Sequence, residues 1–243
     1  MALGLTMADQ QQNHDPIVAL LPAPILWAAA QFASTDPAKE LLNCLCLKTV
    51  VIKSQTKEAG DNDQYVGPGV EITSTDGHRL FRAVIPASDH FFGYADQINN
   101  DQGFKLQAKP LKKRIAYAHY ALIAKSGRVE FIGGKKAKGS TGLPQENLSS
   151  VFASCHPYET ASFPNCAQLI PDHFGQGTES PIAFNAGYLA DFCNVVSKLS
   201  SNGVVKMRRN HRTTPAVFSC LYELFSVGFI DIECLIMPVQ IRD

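Results

Sequence analysis

The sequence predicts an α+β fold in which one unit, a helix followed by antiparallel strands, recurs along the chain. Apolar residues at helical spacing begin near residues 22, 109 and 185. Each such segment is followed by short apolar or alternating runs that are typical of strands. The starts lie 87 and then 76 residues apart, so the units share a pattern rather than an exact length. We therefore expect three helix-plus-strand units.

The composition is that of an ordinary globular protein. Of the 243 residues, 45% are hydrophobic, and 22 Lys and Arg balance 22 Asp and Glu. Because the net charge is zero, any surface that binds nucleic acid must be local rather than a property of the whole chain. No apolar run reaches the 18 residues of a membrane-spanning helix, and we expect a cytoplasmic protein.

The first unit follows a polar start. Residues 1–16 lack a basic signal-peptide region and are expected to be a disordered tail. A helix is predicted over residues 21–33, with proline in its first turn, where the missing N–H costs nothing. Strands are predicted over residues 41–54 and on both sides of the Asp76-Gly77 turn, and the repeat is taken as residues 17–87.

The second and third units repeat this order. The second, residues 103–172, is predicted to contain a helix over 109–123, because Leu111, Ile115, Ala118 and Leu122 fall on one helical face. The third, residues 181–243, is predicted to begin with a helix that ends before Gly203. Further strands are predicted over residues 128–132, 151–163, 204–209, 216–223 and 230–241.

The seven cysteines favour buried free thiols over a metal site. No pair forms a Cys-x-x-Cys motif, and Cys44 and Cys46 point to one face of a strand without a second ligand pair nearby. An odd number of cysteines in apolar runs is typical of a protein in a reducing cytosol. We expect neither a metal nor a cofactor.

Short motifs carry a resemblance to a known family. Residues 74–80, Ser-Thr-Asp-Gly-His-Arg-Leu, resemble the Ala-Thr-Asp-Gly-His-Arg-Leu signature of bacterial replicative sliding clamps, the beta subunit of DNA polymerase III holoenzyme. Residues 235–241, Leu-Ile-Met-Pro-Val-Gln-Ile, are similar to the Val-Val-Met-Pro-Met-Arg-Leu tail of that family. Residues 163–171 resemble its Phe-Pro-Asp-Tyr segment, and the three motifs occur in the family's order.

The resemblance implies the DNA-clamp fold, with helices on one face of a curved sheet. Family protomers carry six helix-plus-strand units and close a ring of twelve as a head-to-tail dimer. This chain shows three, without counterparts to the family's first domain and to the first half of its last domain. Four chains would complete the same ring, so the resemblance implies a homo-oligomer with a tetramer favoured.

A clamp is a processivity factor without catalytic activity. It encircles double-stranded DNA without regard to sequence and tethers DNA polymerase and other proteins that carry a clamp-binding motif; a clamp loader is a further candidate partner. Basic side chains would line the hole and contact phosphates. The candidates are Lys105, Lys109, Lys112, Lys113, Arg114, Lys198, Lys206, Arg208, Arg209 and Arg212.

The resemblance also implies a hydrophobic pocket that binds partner peptides. Apolar side chains would form an adaptable groove, while Thr75, His78 and Arg79 would offer polar groups to an extended peptide. Gln168 and Gln240 stand where basic residues are usual in the family. The candidate pocket residues are Leu42, Thr75, Gly77, His78, Arg79, Leu80, Pro164, Gln168, Leu169, Leu235, Met237, Pro238 and Val239.

Two other functions remain open from the sequence. Asp76, His78 and His211 are conceivable ligands of a metal-dependent nuclease, although no third ligand is spaced to join the first two. Residues 133–136, Gly-Gly-Lys-Lys, lack the glycine spacing and the following helix of a phosphate-binding loop. A shortened clamp relative that binds peptides without encircling DNA would use the same pocket residues.

Overall fold

A computed structural model describes residues 15–52, 67–88, 91–93, 98, 102–113, 118–133, 151–155, 157, 163–169, 183–200, 202–208, 215–224 and 228–239. These ranges contain twelve strands and two α-helices. In chain order they are β1 (Ile17–Pro22), α1 (Ala23–Phe32), β2 (Cys44–Ile52), β3 (Gly67–Thr75), β4 (Arg79–Pro86), β5 (Phe92–Gly93), β6 (Phe104–Gln107), β7 (Tyr120–Ala124), β8 (Arg128–Ile132), β9 (Val151–Ser154), α2 (Ala186–Leu199), β10 (Lys206–Arg208), β11 (Ala216–Leu224) and β12 (Gly228–Ile236). Short 3₁₀ turns cover Glu40–Leu42, Lys109–Lys112 and Cys166–Leu169.

The strands form two antiparallel sheets. The smaller has the order β5-β1-β7-β8-β9, and the larger has the order β10-β11-β12-β4-β3-β2-β6. The larger sheet joins strands of the first and third units, because β12 pairs with β4 through five residue pairs, Leu235 opposite Leu80 among them. The Asp-Gly turn between β3 and β4 therefore lies beside the end of the last strand.

The first two units exchange strands. The strand that precedes α1, β1, pairs with β7 of the second unit. In return β6, the strand that opens the second unit, pairs with β2 of the first. Each unit therefore contributes a strand to the sheet of the other, which joins the described strands of the two units.

Helix α1 is buried on nearly every side. Eight of its ten residues are buried, since the sequence Ala-Pro-Ile-Leu-Trp-Ala-Ala-Ala-Gln-Phe has no charged side chain to keep in water. It packs on β3 and β4 and against the 3₁₀ turn Lys109–Lys112. Trp27 Nε1 and Gln31 Nε2 both donate to the carbonyl oxygen of Lys112, at 3.2 and 3.1 Å.

Helix α2 covers the third unit. It begins at an Asn185 cap, whose side-chain oxygen accepts hydrogen bonds from the N–H groups of Gly187 and Tyr188. Its buried side chains are Phe192, Val195, Val196 and Leu199. The ring of Phe192 lies 6.5 Å from that of Phe32 and 6.0 Å from that of Phe218, so α2 packs on α1 and on the larger sheet.

The structure confirms the α+β prediction, the helix over 21–33 and the helix of the third unit. The helix over 109–123 is wrong. Residues 109–112 form a 3₁₀ turn and residues 120–124 form strand β7, because Tyr120–Ala124 pairs on both sides, with β1 and β8. Strand β1 was not predicted.

The start of the chain also differs from expectation. Residues 1–14 of the expected tail lie outside the described residues, but Asp15 and Pro16 are placed. The Asp15 carboxylate accepts hydrogen bonds from the backbone N–H and the hydroxyl of Ser126. The N–H of Lys125 donates to the Pro16 carbonyl at 2.7 Å. No helix in the described part of the chain is long and apolar enough to cross a membrane.

Candidate functional site

The Asp-Gly turn is held rigidly by its own side chains. Asp76 Oδ1 accepts hydrogen bonds from the backbone N–H groups of His78 and Arg79, at 2.9 and 3.0 Å. Thr75 Oγ1 accepts from the N–H of Gly77 at 3.0 Å and donates to the Arg79 carbonyl at 2.7 Å. Gly77 has φ +95°, a conformation that favours glycine, so the residue types of the motif fix the shape of the turn.

Arg79 ties this turn to both helices. Its Nε lies 2.9 Å from Asp76 Oδ2, and its Nη1 lies 2.6 Å from Asp191 Oδ2 on α2. The guanidinium carbon lies 5.1 Å from the ring centre of Phe32 and 5.0 Å from that of Tyr188. Burial opposes the charge, but the two carboxylates outweigh it and raise the pKa of Arg79. This side chain is a charged clasp between the first and third units.

His78 stands at the surface beside the third unit. Its ring stacks on Tyr188, with 6.0 Å between ring centres and 19° between the planes. Its carbonyl accepts a hydrogen bond of 3.1 Å from the N–H of Met237. The C-terminal Met-Pro segment is therefore attached by its backbone to the Asp-Gly turn.

A small apolar cluster lies beneath this junction, separate from the main core. We call it the pocket floor; it consists of Cys44, Cys46, Leu80, Phe163, Cys166, Val217 and Leu235. Burial raises the pKa of Cys44 to about 12 and those of Cys46 and Cys166 to about 11. The three thiols therefore stay protonated near neutral pH and behave as small apolar side chains.

Exposed apolar side chains follow the floor residues closely in sequence, on the segments after Cys166 and Leu235. Leu169, Met237 and Val239 are 47%, 41% and 45% exposed, which is unusual for such residues beside a buried apolar cluster. Pro164 and Gln168 are exposed on the segment that Phe163 and Cys166 anchor in the floor, while Leu42 and Pro238 are half-buried. Segments far apart in sequence thus place exposed apolar side chains next to residues of one buried apolar cluster.

Four of the predicted pocket residues lie in the turn, the clasp or the floor. Thr75 and Arg79 are bonded within the turn and the clasp, where they hold the shape of the site. Leu80 and Leu235 are each 2% exposed and belong to the floor. His78 is the exposed polar residue of the motif.

Phe163, Cys166 and Val217 belong to the floor but were not among the pocket residues predicted from the sequence. Tyr188 was not predicted to contact the turn either. The sequence did hint at this cluster, since Cys44 and Cys46 lie two residues apart on one face of a strand and both belong to the floor. No local pattern links Tyr188 to His78, because the two residues are far apart in sequence and stack on each other only in the folded chain.

Basic side chains of two units meet beside Trp27. Lys198, the single basic residue of α2, places its Nζ 5.3 Å from the ring centre of Trp27. Lys112 Nζ donates to the Ala33 carbonyl at 2.9 Å, and burial, with the nearby charge of Arg79, lowers the pKa of Lys112. Lys109 and Lys113 are exposed at the same 3₁₀ turn.

The other predicted DNA contacts are scattered. Lys206 and Arg208 are exposed on β10, where Arg208 pairs with Glu233 at 3.2 Å. Lys105 is 2% exposed on β6, where it lies opposite Cys46 of β2, so both faces of this strand are buried and its side chain is not at the surface of the chain. Arg114, Arg209 and Arg212 lie outside the described residues.

The structure gives no support to a metal site at Asp76. Its carboxylate is occupied by two backbone N–H groups and by Arg79. No group of three or more potential metal ligands occurs among the residues that the structure describes. His211 and the Gly-Gly-Lys-Lys segment lie outside those residues.

Comparison with known proteins identifies the fold. No protein-family model matches the sequence, and no curated protein matches it. The structure is similar to the DnaN sliding clamp of Bartonella birtlesii bound to griselimycin, with a TM-score of 0.55, 16% identity, and coverage of 92% of this chain and 66% of that one. The chain thus spans just under two thirds of the length of that clamp.

Other clamps give weaker matches. The sliding clamp of Caulobacter crescentus aligns at 14% identity and a TM-score of 0.49, covering 98% of this chain and 70% of that one. The beta subunit of Thermotoga maritima aligns at 12% identity and a TM-score of 0.48, covering 97% and 70%. On the strength of the Bartonella match, the chain has the fold of the bacterial DNA polymerase III beta sliding clamps.

Proposed function

We propose that the protein is a DNA sliding clamp, a non-catalytic processivity factor. As an oligomeric ring it encircles duplex DNA, and through a hydrophobic peptide-binding pocket above the pocket floor it tethers DNA polymerase and other partners. The single observation that carries this proposal is the convergence of the Asp-Gly turn, residues 163–169 and the C-terminal Met-Pro segment on one apolar site. Residues 17–172 act as one clamp domain and residues 181–243 as a further half-domain.

The pocket suits an extended apolar peptide. Met237 and Leu169 are flexible and exposed, so they can close around side chains of different shapes. The floor beneath them is apolar and offers no charge to a peptide. His78 presents an exposed ring at the rim, which gives a polar contact for orientation. Affinity would therefore come from apolar burial and specificity from a few polar groups.

A single charge in the rim tests the pocket. Met237→Asp should weaken binding of a fluorescein-labelled clamp-binding peptide from a DNA polymerase at least ~10-fold, because a bound peptide would bury the new carboxylate. Val51→Asp is the matched control: Val51 is 70% exposed and about 23 Å along β2 from Cys44, at about 3.3 Å per residue. Equal peptide affinity of the two variants would rule the pocket out.

The basic group beside Trp27 supports a DNA-facing wall. Lys109, Lys113 and Lys198 come from the second and third units yet lie around the same helix, and long flexible lysines make sequence-independent phosphate contacts that permit sliding. Lys112 should not be replaced when DNA binding is tested, because its ammonium group donates a hydrogen bond to the Ala33 carbonyl at the end of α1.

Salt dependence tests the wall. Replacing Lys109, Lys113 and Lys198 by Gln removes three phosphate contacts and should reduce the slope of log K against log [salt] by roughly 2 to 3. Lys125→Gln, an exposed lysine at the turn between β7 and β8, should leave the slope within ~1. An unchanged slope in the triple variant would contradict a wall at this place.

Topology separates a ring from other DNA binding. A closed ring should stay on nicked circular DNA through a high-salt wash and leave it when the circle is cut. Four chains of 26.5 kDa, about 106 kDa, would supply the twelve units of a ring. If the protein binds the peptide but leaves circular and linear DNA at the same rate, it is a peptide-binding clamp relative that does not encircle DNA.

A further inference from the structure

Strand β10 carries two basic side chains on the sheet face that holds the pocket floor. In the larger sheet Arg208 lies directly opposite Val217 and Lys206 lies opposite Ser219, while Val217 lies opposite Leu235 on its other side. Residues directly opposite each other on antiparallel strands share one face of the sheet. Because Val217 and Leu235 belong to the floor, Lys206 and Arg208 lie on the same face as the floor, at its β10 end.

The other face of this sheet carries the helices. Met207 lies between the two basic residues and opposite Phe218, whose ring centre is 6.0 Å from that of Phe192 on α2. Successive residues of a strand point to opposite faces. Lys206 and Arg208 therefore point away from the helices, whereas the three lysines of the proposed DNA-facing wall lie around helix α1.

An ion pair agrees with this direction of Arg208. Its Nη2 lies 3.2 Å from Glu233 Oε1 on β12, so the side chain reaches across the intervening strand β11. Glu233 in turn lies opposite Arg82 and is 3.0 Å from the Nη1 of that residue. The Arg208 side chain remains 45% exposed, and Lys206 is exposed as well. Solvent can therefore reach both cations beside the floor.

The carboxylate closest to this end of the floor already has counter-charges. Glu233 is bound by Arg82 at 3.0 Å and by Arg208 at 3.2 Å. The next carboxylate of the same face on β12 is Asp231, which lies four residues, or about 13 Å, from the floor residue of that strand. In the described part of this face, Lys206 therefore adds positive charge beside an apolar floor.

We propose that the pocket selects partner peptides with an acidic side chain beside their apolar anchor, and that Lys206 and Arg208 bind its carboxylate. This inference rests on the proposed function, because it assigns the partner chemistry of the same pocket. A guanidinium has five N–H donors, so Arg208 can bind a carboxylate of the peptide and keep its contact with Glu233. Lys206 contributes a flexible point charge. The floor then supplies apolar burial, and the two basic residues supply selectivity.

The spacing of the strands sets the place of the acidic side chain. Leu235 of the floor lies on β12, two strands from β10. At about 4.8 Å per strand, an anchor bound over Leu235 lies about 10 Å from the backbone of β10. An extended peptide that crosses the strands covers this distance in about three residues. We therefore expect Asp or Glu about three residues from the apolar anchor.

Peptides that differ only in charge test the inference. A fluorescein-labelled clamp-binding peptide is made in an acidic form, with Asp about three residues to either side of its apolar anchor, and in a neutral form, with Asn in both places. Both are amidated at the C-terminus, so only side-chain carboxylates differ. Replacing Lys206 and Arg208 by Gln should weaken the acidic form by about 3- to 10-fold in fluorescence anisotropy and leave the neutral form within ~2-fold. The loss should shrink at high salt, which screens exposed charges.

Two control variants separate a local contact from other causes. Lys125→Gln with Arg128→Gln removes two exposed charges from the smaller sheet and its β7–β8 turn, and should leave both affinities within ~2-fold. An equal loss of acidic-peptide affinity in this control would overturn the inference, because the charge would then act without contact. Lys206→Arg with Arg208→Lys keeps both charges and should keep the preference for the acidic form.

The inference and the proposed function fail in different ways. If the wild type binds both forms equally, or the Gln variant keeps the wild-type preference, the inference is wrong and the pocket stands. An equal loss for both forms would also overturn the inference, because Lys206 and Arg208 would then only support the fold of the pocket. A smaller salt slope of DNA binding in the Gln variant would contradict it by placing these residues on the DNA-facing wall. If the wild type binds neither form, the pocket itself is wrong, and the inference falls with it.

Discussion

Removing the guanidinium of Arg79 should be one of the most destabilising single changes in the chain. The side chain is 10% exposed, and Asp76, its closer partner in sequence, is 14% exposed. Arg79→Ala would leave the Asp76 carboxylate buried without its counter-charge, and breaking a buried pair in this way costs about 3–5 kcal/mol. The contacts with Phe32 and Tyr188 would be lost as well.

The second ion pair of Arg79 should matter far less. Asp191 is 53% exposed, so its charge remains solvated when the pair is broken. An exposed ion pair contributes about 0–1 kcal/mol, and we expect Asp191→Asn to fall in that range despite the short 2.6 Å contact. The difference in destabilisation between Arg79→Ala and Asp191→Asn therefore depends on how deeply each carboxylate is buried and not on the length of its contact with Arg79.

Urea denaturation at fixed protein concentration measures both variants. A change in midpoint with constant slope gives the loss in free energy of unfolding. The reasoning would be refuted if Arg79→Ala cost less than about 1 kcal/mol, or if Asp191→Asn cost as much as Arg79→Ala. Peptide binding should weaken in Arg79→Ala even where the protein stays folded, because the turn and α2 lose their charged link.

Three further predictions follow from the cysteines and glycines. In the native protein one thiol, Cys193, should react rapidly with a disulfide reagent, and all seven should react after denaturation, since the other six are buried. The free energy of unfolding should be unaffected by the thiols below pH 9 and should fall as the pH rises from 9 toward 11 and 12, because the unfolded chain releases thiol protons there that the folded chain retains. Each buried thiol would contribute a loss of up to ~1.4 kcal/mol per pH unit. Thermal melts at pH 8 and pH 10 would measure this loss. In urea denaturation, Gly127→Ala should lower the free energy of unfolding by at least ~3 kcal/mol, because the φ of Gly127 is +86° and a Cβ there would lie 1.6 Å from the Cys155 carbonyl oxygen. Gly203 has φ +64° and no atom within 4 Å of the added Cβ, so Gly203→Ala should lower it by only about 1–2 kcal/mol.

The parts of the fold that depend on local chemistry were predictable. The helix that became α1 was marked by proline at its start and an uncharged apolar run, and the Asp-Gly turn by the tolerance of glycine for positive φ. Residues 109–123 were wrongly predicted as a helix because their apolar residues recur every three or four positions, although part of the segment forms a strand of a sheet. That choice is made by strands distant in sequence, β1 and β8.

The candidate site shows the same division. The motif resemblance predicted Leu169, Met237 and Val239 as pocket residues, and the structure shows that all three are exposed. The clasp and the floor were not found as such, because Arg79 meets Tyr188 and Asp191 only after the third unit docks on the first. Lys105 is a further example, because a charged side chain is expected at the surface and local sequence does not reveal that this one is buried.

The pairing of β12 with β4 also has a mechanical consequence. It makes the boundary between the first and third units a row of backbone hydrogen bonds, with Arg82 adding ion pairs to Glu71 on one side and Glu233 on the other. Force applied along the chain of units would load many short bonds together at this place. The seven-stranded sheet therefore resists separation of the first unit from the third, so the Asp-Gly turn and the C-terminal Met-Pro segment should keep their relative positions under load.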